Sequence, residues 1–377
     1  MTDCSKQTDL SLARNMNVSN LTNYSTYQLH SATPHGTSFD TEPYVLRVVS
    51  LLIFSVIIFV SLIGNTLVLK AVIELPTRCK PFTYYLVANL AIAEIVSSLC
   101  QPFTMTYQEM YSWIFGEFTC KLLIPLQVLA VIVVTCDMAA IAVYRYQLMA
   151  IPLKKKITGP IMAAIIGAIW LAALAVSLPL FVTRILVELP TGHKVCLSKF
   201  PGDSYKTYTI IRFTLCFLLP YLVMMWSYGA VALKLKRHIR RNVDESSEIT
   251  MTSRRDSDDR RVVLYHHQDR PARVHLEVTN SNPRPGNKSS TELECDLLRM
   301  IYVIIVSFVF CYIPYQILFL WEYSTATNNQ WQFRYQAMIR KYFYILTCLP
   351  GAIHPLCYGT MNRFFARAFS KIVMCRR

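Results

Sequence analysis

Seven long apolar stretches constrain this chain more than any other feature of its sequence. They lie at roughly 48–69, 84–103, 122–143, 161–182, 208–233, 297–320 and 342–358. Each stretch approaches or exceeds the ~20 residues that a helix needs to cross the hydrocarbon core of a bilayer. A soluble core has no use for seven such runs, and hydrophobic residues make up 53% of the 377 positions. We therefore expect an all-α membrane protein with seven spanning helices in one membrane domain.

Glycosylation motifs and loop charges predict the orientation of these spans. Asn17, Asn20 and Asn23 each begin an Asn-X-Ser/Thr motif, and three such motifs in a polar tail favour an extracellular N-terminus. Lysines at 154–156 agree, because they fall in a short loop on the predicted cytoplasmic side. Seven spans then place the C-terminus in the cytoplasm. The net charge of +15 does not predict nucleic-acid binding, because the basic residues gather at span ends and in one polar loop.

Composition predicts three regions along the chain. Residues 1–43 form a polar, glycosylated and disordered extracellular tail. Residues 44–359 form the membrane domain, in which 235–294 is a largely disordered cytoplasmic loop. Residues 360–377 form an amphipathic helix on the membrane surface and a short tail. Cys375 at the end of this helix is either a palmitoylation site or a plain surface thiol.

Two cysteines predict a disulfide, and no residue set predicts enzymatic chemistry. Cys120 begins the third span at its outer end, and Cys196 lies in the second outer loop. Both face an oxidising compartment, so we expect them to be bonded. The sequence holds no nucleophile–base set, metal-ligand cluster or phosphate loop. We therefore expect neither an enzyme nor a bound cofactor or metal.

Landmark residues recur in a fixed order inside the spans. They are Gly64-Asn65, Leu90-Ala91 with Glu94, Cys120, Arg145, Trp170, Pro220, Tyr228, Phe308, Pro314 and Pro355 with Tyr358. In this order and spacing, from about residue 44 to 377, the chain resembles rhodopsin-like (class A) G-protein-coupled receptors. The resemblance implies a plasma-membrane receptor that acts on a heterotrimeric G protein. Arrestin, receptor kinases and membrane lipid are further partners that it implies.

The resemblance also implies a switching mechanism. Ligand binding at the outer half would move the inner end of the sixth helix, which carries Phe308, outward about Pro314. Arg145 would face the crevice that opens, and Tyr228 and Tyr358 would swing toward it. Glu294, at the inner end of the sixth helix, is expected to pair with Arg145 at rest; the alternative is a solvated charge at the loop end.

Several buried polar positions depart from the family pattern. Tyr144 replaces the usual acid before the arginine, Tyr312 the sixth-helix tryptophan, and His354 the seventh-helix asparagine. Glu94 replaces the second-helix aspartate. Glu94 and His354 are expected to face each other as a hydrogen-bonded pair, since an isolated charge in a span is costly. The alternative is that each binds water or backbone separately.

A second buried polar group is expected around Asp137. On the family template this acid lies near Asn89 and the indole of Trp170, and Asn65 is a further buried polar residue. A structural polar cluster is the favoured interpretation over a signalling role.

The outer residues indicate the class of ligand. Cys348 stands where opsins hold retinal on a lysine, and Gln127 stands where amine receptors carry an aspartate. Segments 102–107 and 113–121 resemble neuropeptide Y receptors, which bind peptides ending in an amidated Arg-aromatic pair. The expected ligand residues are Gln127, Glu322, Tyr107, Trp321 and Tyr312, with Glu109 as an acid that competes with Glu322.

Two alternatives to a receptor of the neuropeptide Y type stay open. One is a relative of the prokineticin, tachykinin or orexin receptors. The other is a transporter or channel, which would favour inverted repeats or broken, glycine-rich helices. The chain has only 11 glycines and no such repeat.

Overall fold

The computed structural model describes residues 42–75, 82–150, 159–189, 192–200, 204–234, 237, 240, 286–324 and 330–374. At 149–150, 206, 286–298, 301, 322–324 and 330–337 it describes the backbone only. The helices are α1 (Tyr44–Glu74), α2 (Phe82–Met110), α3 (Gly116–Ala150), α4 (Gly159–Thr183), α5 (Ser204–Phe213, continuing to residue 234), α6 (Gly286–Ser324), α7 (Gln330–Met361) and α8 (Arg363–Val373). An antiparallel hairpin of β1 (Arg184–Glu188) and β2 (Lys194–Ser198) lies between α4 and α5.

Seven long helices pack side by side as one bundle. Within the described residues, α1 to α6 are each long and apolar enough to cross a membrane. The seventh predicted stretch lies inside α7, which is more polar because it holds His354 and several tyrosines, but packs against α1, α2 and α6. The predicted all-α bundle of seven helices with a short helix after it is therefore confirmed.

The lipid-facing and interior sides of the bundle differ in side-chain type. Large apolar side chains such as Phe59 and Leu171 point outward, while α4 buries only Ala173, Ser177 and Leu180. The interior is built from tightly packed side chains such as Phe308 and Tyr358. Such a distribution suits a bilayer, where lipid covers the outer apolar surface and packing holds the helices together.

Gly64 is required by the close approach of α1 to α7. A Cβ at this position would lie 2.5 Å from Cγ of Pro355, whose ring cannot rotate away. We expect Gly64→Ala to lower the free energy of unfolding by about 1–3 kcal/mol, the usual cost of overpacking. Gly167→Ala is the matched control, since nothing lies within 4 Å of a Cβ there. Thermal unfolding of the detergent-purified protein measures both variants, and equal melting temperatures would contradict this role of Gly64.

The sequence predicted the start of α8 correctly but placed the start of α6 too late. α6 begins at Gly286, so residues 286–294 are helical although they were predicted as part of a loop. No proline follows Pro285 until Pro314, so no residue in this segment interrupts the helix. α8 begins as expected: the Asn362 side chain accepts a hydrogen bond of 2.9 Å from the backbone N–H of Phe364.

α5 contains a π-helical turn at Thr214–Leu218. The backbone N–H of Leu219 donates to the carbonyl of Thr214, five residues earlier. Pro220 follows directly and has no N–H for the carbonyl of Cys216, so the widened turn accommodates the proline. The turn buries Phe217, which lines the cavity described next.

Candidate functional site

A cavity of about 300 Å³ opens between the helices near the Cys120–Cys196 disulfide. We term this end of the bundle the disulfide end, and the opposite end the Arg145 end. The disulfide was predicted and is present, with the two Cα atoms 5.8 Å apart. Polar and aromatic side chains dominate the cavity wall: Gln101, Thr104, Tyr107, Gln108, Gln127, Arg184, Tyr205, Tyr208, Arg212, Phe217, Tyr312, Tyr315, Gln316, Phe319, Arg340 and Tyr344.

The β1–β2 hairpin forms one wall of the cavity and is held from two sides. Arg184 donates from Nη1 to the carbonyl of Cys196 at 3.0 Å, across the hairpin. The backbone N–H of Trp113 donates to the carbonyl of Lys194 at 2.6 Å, and the Trp113 side chain is fully buried. Together with the disulfide, these contacts place β2 against the start of α3.

Gln127 links three helices at the base of the cavity. Its Oε1 accepts from the Thr104 hydroxyl at 2.7 Å, and its Nε2 donates to the Tyr344 hydroxyl at 3.0 Å. The Tyr344 hydroxyl donates in turn to the carbonyl of Gln101 at 3.2 Å. Gln127 therefore lies in the cavity as the sequence suggested, and its two amide atoms already position α2, α3 and α7.

Two other amides in the cavity offer acceptors. Oε1 of Gln101 and Oε1 of Gln108 are buried and accept no hydrogen bond from any described residue. An unpaired buried acceptor costs about 1–3 kcal/mol, which a ligand N–H would recover. The cavity can therefore bind a molecule with amide N–H groups.

Aromatic rings connect the cavity with the bundle interior. Tyr312 lines the cavity, and its ring centroid lies 4.3 Å from that of Phe308 and 6.3 Å from that of Phe217. Phe308 lies 6.4 Å from the His354 ring. Tyr107 also lines the cavity and packs edge-to-face on Trp113 at 5.7 Å.

Three of the expected ligand residues do not contribute to the described cavity wall. Trp321 keeps 44% of its surface exposed and lies outside the wall. The side chain of Glu322 lies outside the described residues. Glu109 belongs to an ion-pair cluster instead, because cations already occupy its carboxylate.

That cluster joins α1, α2 and α7 at the disulfide end and consists of Glu42, Arg47, Glu109 and Lys341. Lys341 Nζ lies 2.5 Å from a carboxylate oxygen of Glu42 and 3.0 Å from one of Glu109, while Arg47 Nε lies 2.7 Å from the other oxygen of Glu109. Burial raises the pKa of the Glu42 carboxyl, yet hydrogen bonds from Lys341 and Tyr342 and the two positive charges outweigh it. The pKa of Glu42 therefore lies below its ordinary value.

A buried polar group surrounds Glu94 at the middle of the bundle. His354 Nδ1 lies 3.2 Å from Glu94 Oε1, so the two side chains are adjacent as expected. Neither ring nitrogen of His354 makes a hydrogen bond with a described residue, so the expected hydrogen bond is not formed. The hydroxyls of Ser61 and Ser98 share a hydrogen bond of 2.8 Å nearby. Asn65 donates to the carbonyl of Gly351 at 2.9 Å, which ties α1 to α7.

A second buried polar group joins α2, α3 and α4. Asn89 Nδ2 donates to Asp137 Oδ2 at 2.7 Å, and Trp170 Nε1 donates to Asn89 Oδ1 at 2.9 Å. The structure thus brings together the three residues that the sequence grouped. The shared contacts fix the relative rotation of three helices.

Tyrosines surround Arg145 at the opposite end. Tyr84, Tyr144 and Tyr228 lie within electrostatic range of its guanidinium. Tyr144 also packs edge-to-face on Phe82 at 4.6 Å, so it serves here as an aromatic packing residue. Tyr358 is buried and its ring lies 5.3 Å from that of Phe365 in α8. The Glu294 side chain lies outside the described residues, and its pairing with Arg145 stays a prediction.

Further predictions also fall outside the described residues. They concern the glycosylation motifs at Asn17, Asn20 and Asn23, the lipidation of Cys375, and residues 241–285 of the predicted loop. The sequence interpretation overlooked the arginines of the cavity. One of them, Arg212, had a detectable signal, since it is a charge inside an apolar stretch.

Comparison with known proteins agrees with this architecture. A model of the family described as 7 transmembrane receptor (rhodopsin family) matches residues 64–358. The chain is 28% identical to neuropeptide Y receptor type 2 of Homo sapiens over 348 residues, which cover 90% of this chain and 79% of that receptor. For the receptors of that name from Sus scrofa and Bos taurus, identity is 27% over 364 residues and 33% over 227 residues. These alignments cover 92% and 56% of this chain, and 83% and 59% of the two receptors.

Proposed function

Because this chain belongs to the rhodopsin family of seven-transmembrane receptors, we propose that it is a receptor for an extracellular peptide and acts on a heterotrimeric G protein. In this proposal the disulfide end faces outward and the Arg145 end faces the cytoplasm. The observation that carries the proposal is the cavity of about 300 Å³ with aromatic walls and two unpaired amide acceptors. Such a site suits a peptide, whose backbone N–H groups need acceptors and whose side chains need apolar surface.

The favoured ligand is a peptide with an amidated Arg-aromatic end, and two observations support it. The similar proteins are named as receptors for neuropeptide Y, a peptide. Within the cavity, Gln101 and Gln108 offer carbonyl oxygens to a terminal amide, and Tyr312 and Phe217 offer rings to an aromatic side chain. Glu322, near the outer end of α6, is the proposed partner of the peptide arginine.

The proposed transmission runs from the cavity through α6. A ligand that displaces Tyr312 also displaces Phe308, because their rings are 4.3 Å apart. Phe308 precedes Pro314 on the same helix, where the missing backbone hydrogen bond permits bending. Outward movement of the Arg145-side end of α6 would then expose Arg145, Tyr228 and Tyr358 to the G protein.

A matched pair of threonines on α2 tests the binding site. Thr104 donates to Gln127 in the cavity, whereas Thr106 donates to its own helix and does not line the cavity. Gln127→Ala removes its hydrogen bonds with Thr104 and Tyr344, at about 0.5–1.5 kcal/mol each. We expect it to raise the half-maximal concentration of amidated Arg-Phe and Arg-Tyr peptides about tenfold. Thr104→Ala should act in the same direction, and Thr106→Ala should have no effect.

The measurement is peptide-dependent nucleotide exchange on a G protein in membranes that display each variant at equal density. Absence of exchange with every peptide tested on the unaltered receptor would refute the proposed function. Equal potency for Gln127→Ala and Thr106→Ala would leave the function standing but refute this binding site.

A further inference from the structure

The cavity wall is positively charged. Arg184 from β1, Arg212 from α5 and Arg340 from α7 all line it, and the described part of the wall contains no aspartate or glutamate. Three arginines from three separate elements converge on one cavity only because of the fold, since they lie far apart in the sequence. The neighbouring cluster differs, because its two acids, Glu42 and Glu109, balance its two cations, Arg47 and Lys341.

Arg184 and Arg212 are incompletely satisfied. Each has a buried Nε that donates to no described residue, although Arg184 uses Nη1 for the carbonyl of Cys196. Arg212 instead places its guanidinium 5.7 Å from the centroid of the Phe319 ring. Burial lowers the pKa of Arg184, and the positive charge of Arg212 acts in the same direction, while electrostatic interactions with Tyr205 and Tyr107 oppose it.

The two arginines make the empty cavity energetically unfavourable. Two guanidinium groups in partly dehydrated surroundings repel each other, and each retains an unused donor. An oxyanion would remove the repulsion and accept from both groups. Guanidinium groups suit this role because their planar donors match the geometry of a carboxylate.

We propose that the cavity binds an anionic group of the peptide, a carboxylate or similar oxyanion, beside Arg184 and Arg212. The inference rests on the proposed peptide receptor function and specifies the chemistry of its ligand. Two parts of a peptide carry this chemistry: a free C-terminal carboxylate, or the side chain of an Asp or Glu in a peptide with an amidated end.

Four hexapeptide mixtures distinguish these sources. Two mixtures end in a free carboxylate and two end in an amide. Within each pair, one mixture contains Asp and Glu and the other does not. The amidated mixture without Asp and Glu therefore has no carboxylate. We expect the mixture without a carboxylate to be at least tenfold weaker in G-protein nucleotide exchange than the best of the others. Activity of both free-acid mixtures identifies the terminal carboxylate, and activity of the amidated acidic mixture identifies the side chain.

Charge-neutral variants connect this preference to the two arginines. Arg184→Gln and Arg212→Gln should each weaken the best mixture by about 10- to 100-fold, the loss expected for a charge-assisted hydrogen bond of about 1.5–3 kcal/mol. Arg184→Lys keeps the charge and should recover part of the potency. Lys194→Gln removes an exposed positive charge from β2, outside the cavity, and should change nothing. Surface display and melting temperature identify any variant that fails to fold.

The possible outcomes separate the two proposals. If the mixture without a carboxylate matches the others, or if both Gln variants keep the potency of the unaltered receptor, the inference is wrong and the receptor function stands. If no mixture activates the unaltered receptor, the receptor function and the inference fall together.

Discussion

Lys341→Met is expected to lower the free energy of unfolding by about 3 kcal/mol, because it leaves two carboxylates at the disulfide end without their shared cation. The Lys341 side chain is only 5% exposed, and its Nζ contacts both Glu42 and Glu109. Arg47 alone cannot neutralise both acids. The expected loss lies at the low end of the range for buried pairs, since Glu42 keeps 17% of its side chain exposed. Thermal and denaturant unfolding of the detergent-purified receptor measure it.

Two further variants separate charge balance from lost packing. The double variant Lys341→Met with Glu42→Gln has equal numbers of acids and cations in the cluster, and should recover most of the loss. Lys121→Met removes a lysine that pairs with Glu117 at 2.6 Å, but both side chains are largely exposed. Such surface pairs contribute at most about 1 kcal/mol. If Lys341→Met melted at the same temperature as Lys121→Met, the Lys341 cluster would not act as a buried ion pair.

Removal of the disulfide is expected to have an effect of similar or larger size. Cys120 and Cys196 are 76 residues apart, and closing a loop of this length corresponds to about 4 kcal/mol of chain entropy. This value is an upper bound here, because insertion of α4 in the membrane already restricts the unfolded chain. The double variant Cys120→Ala with Cys196→Ala avoids an unpaired thiol. We expect it to melt at a lower temperature and to lose sensitivity to reductant.

The disulfide variant should also lose peptide potency, because the bond positions the β1–β2 wall. Arg184 donates to the carbonyl of Cys196, so movement of β2 would move a cavity arginine. Cys100→Ala is the control, since Cys100 is a buried free cysteine in α2. A melting temperature of the double variant that matches the unaltered receptor would contradict a stabilising role for the bond.

The predictions that succeeded rest on local or strongly constrained features. Span positions follow from runs of apolar residues, and α8 follows from the amphipathic pattern after Asn362. The Cys120–Cys196 bond follows from two cysteines at one end of the bundle. The proximity of Glu94 to His354 and of Asp137 to Asn89 was expected from the family resemblance.

The predictions that differ from the structure concern side-chain contacts and the start of one helix. Glu109 was expected at the ligand, but α1 and α7 bring Arg47 and Lys341 to its carboxylate. Arg184 and Arg340 gave no distinct sequence signal, since basic residues are common at helix ends. The start of α6 was placed too late because a polar helix that extends beyond the membrane has no apolar pattern.

The sequence by itself determined that this chain is a bundle of seven apolar helices with a receptor architecture and a Cys120–Cys196 disulfide, because these properties depend on residue type and spacing along the chain. Only the tertiary structure decided which polar side chains meet. The rotation of each helix and its non-local packing place Arg184 and Arg212 in one cavity and Lys341 between two acids. Seven apolar stretches are compatible with many such rotations, so the positive charge of the cavity became visible only in the folded bundle.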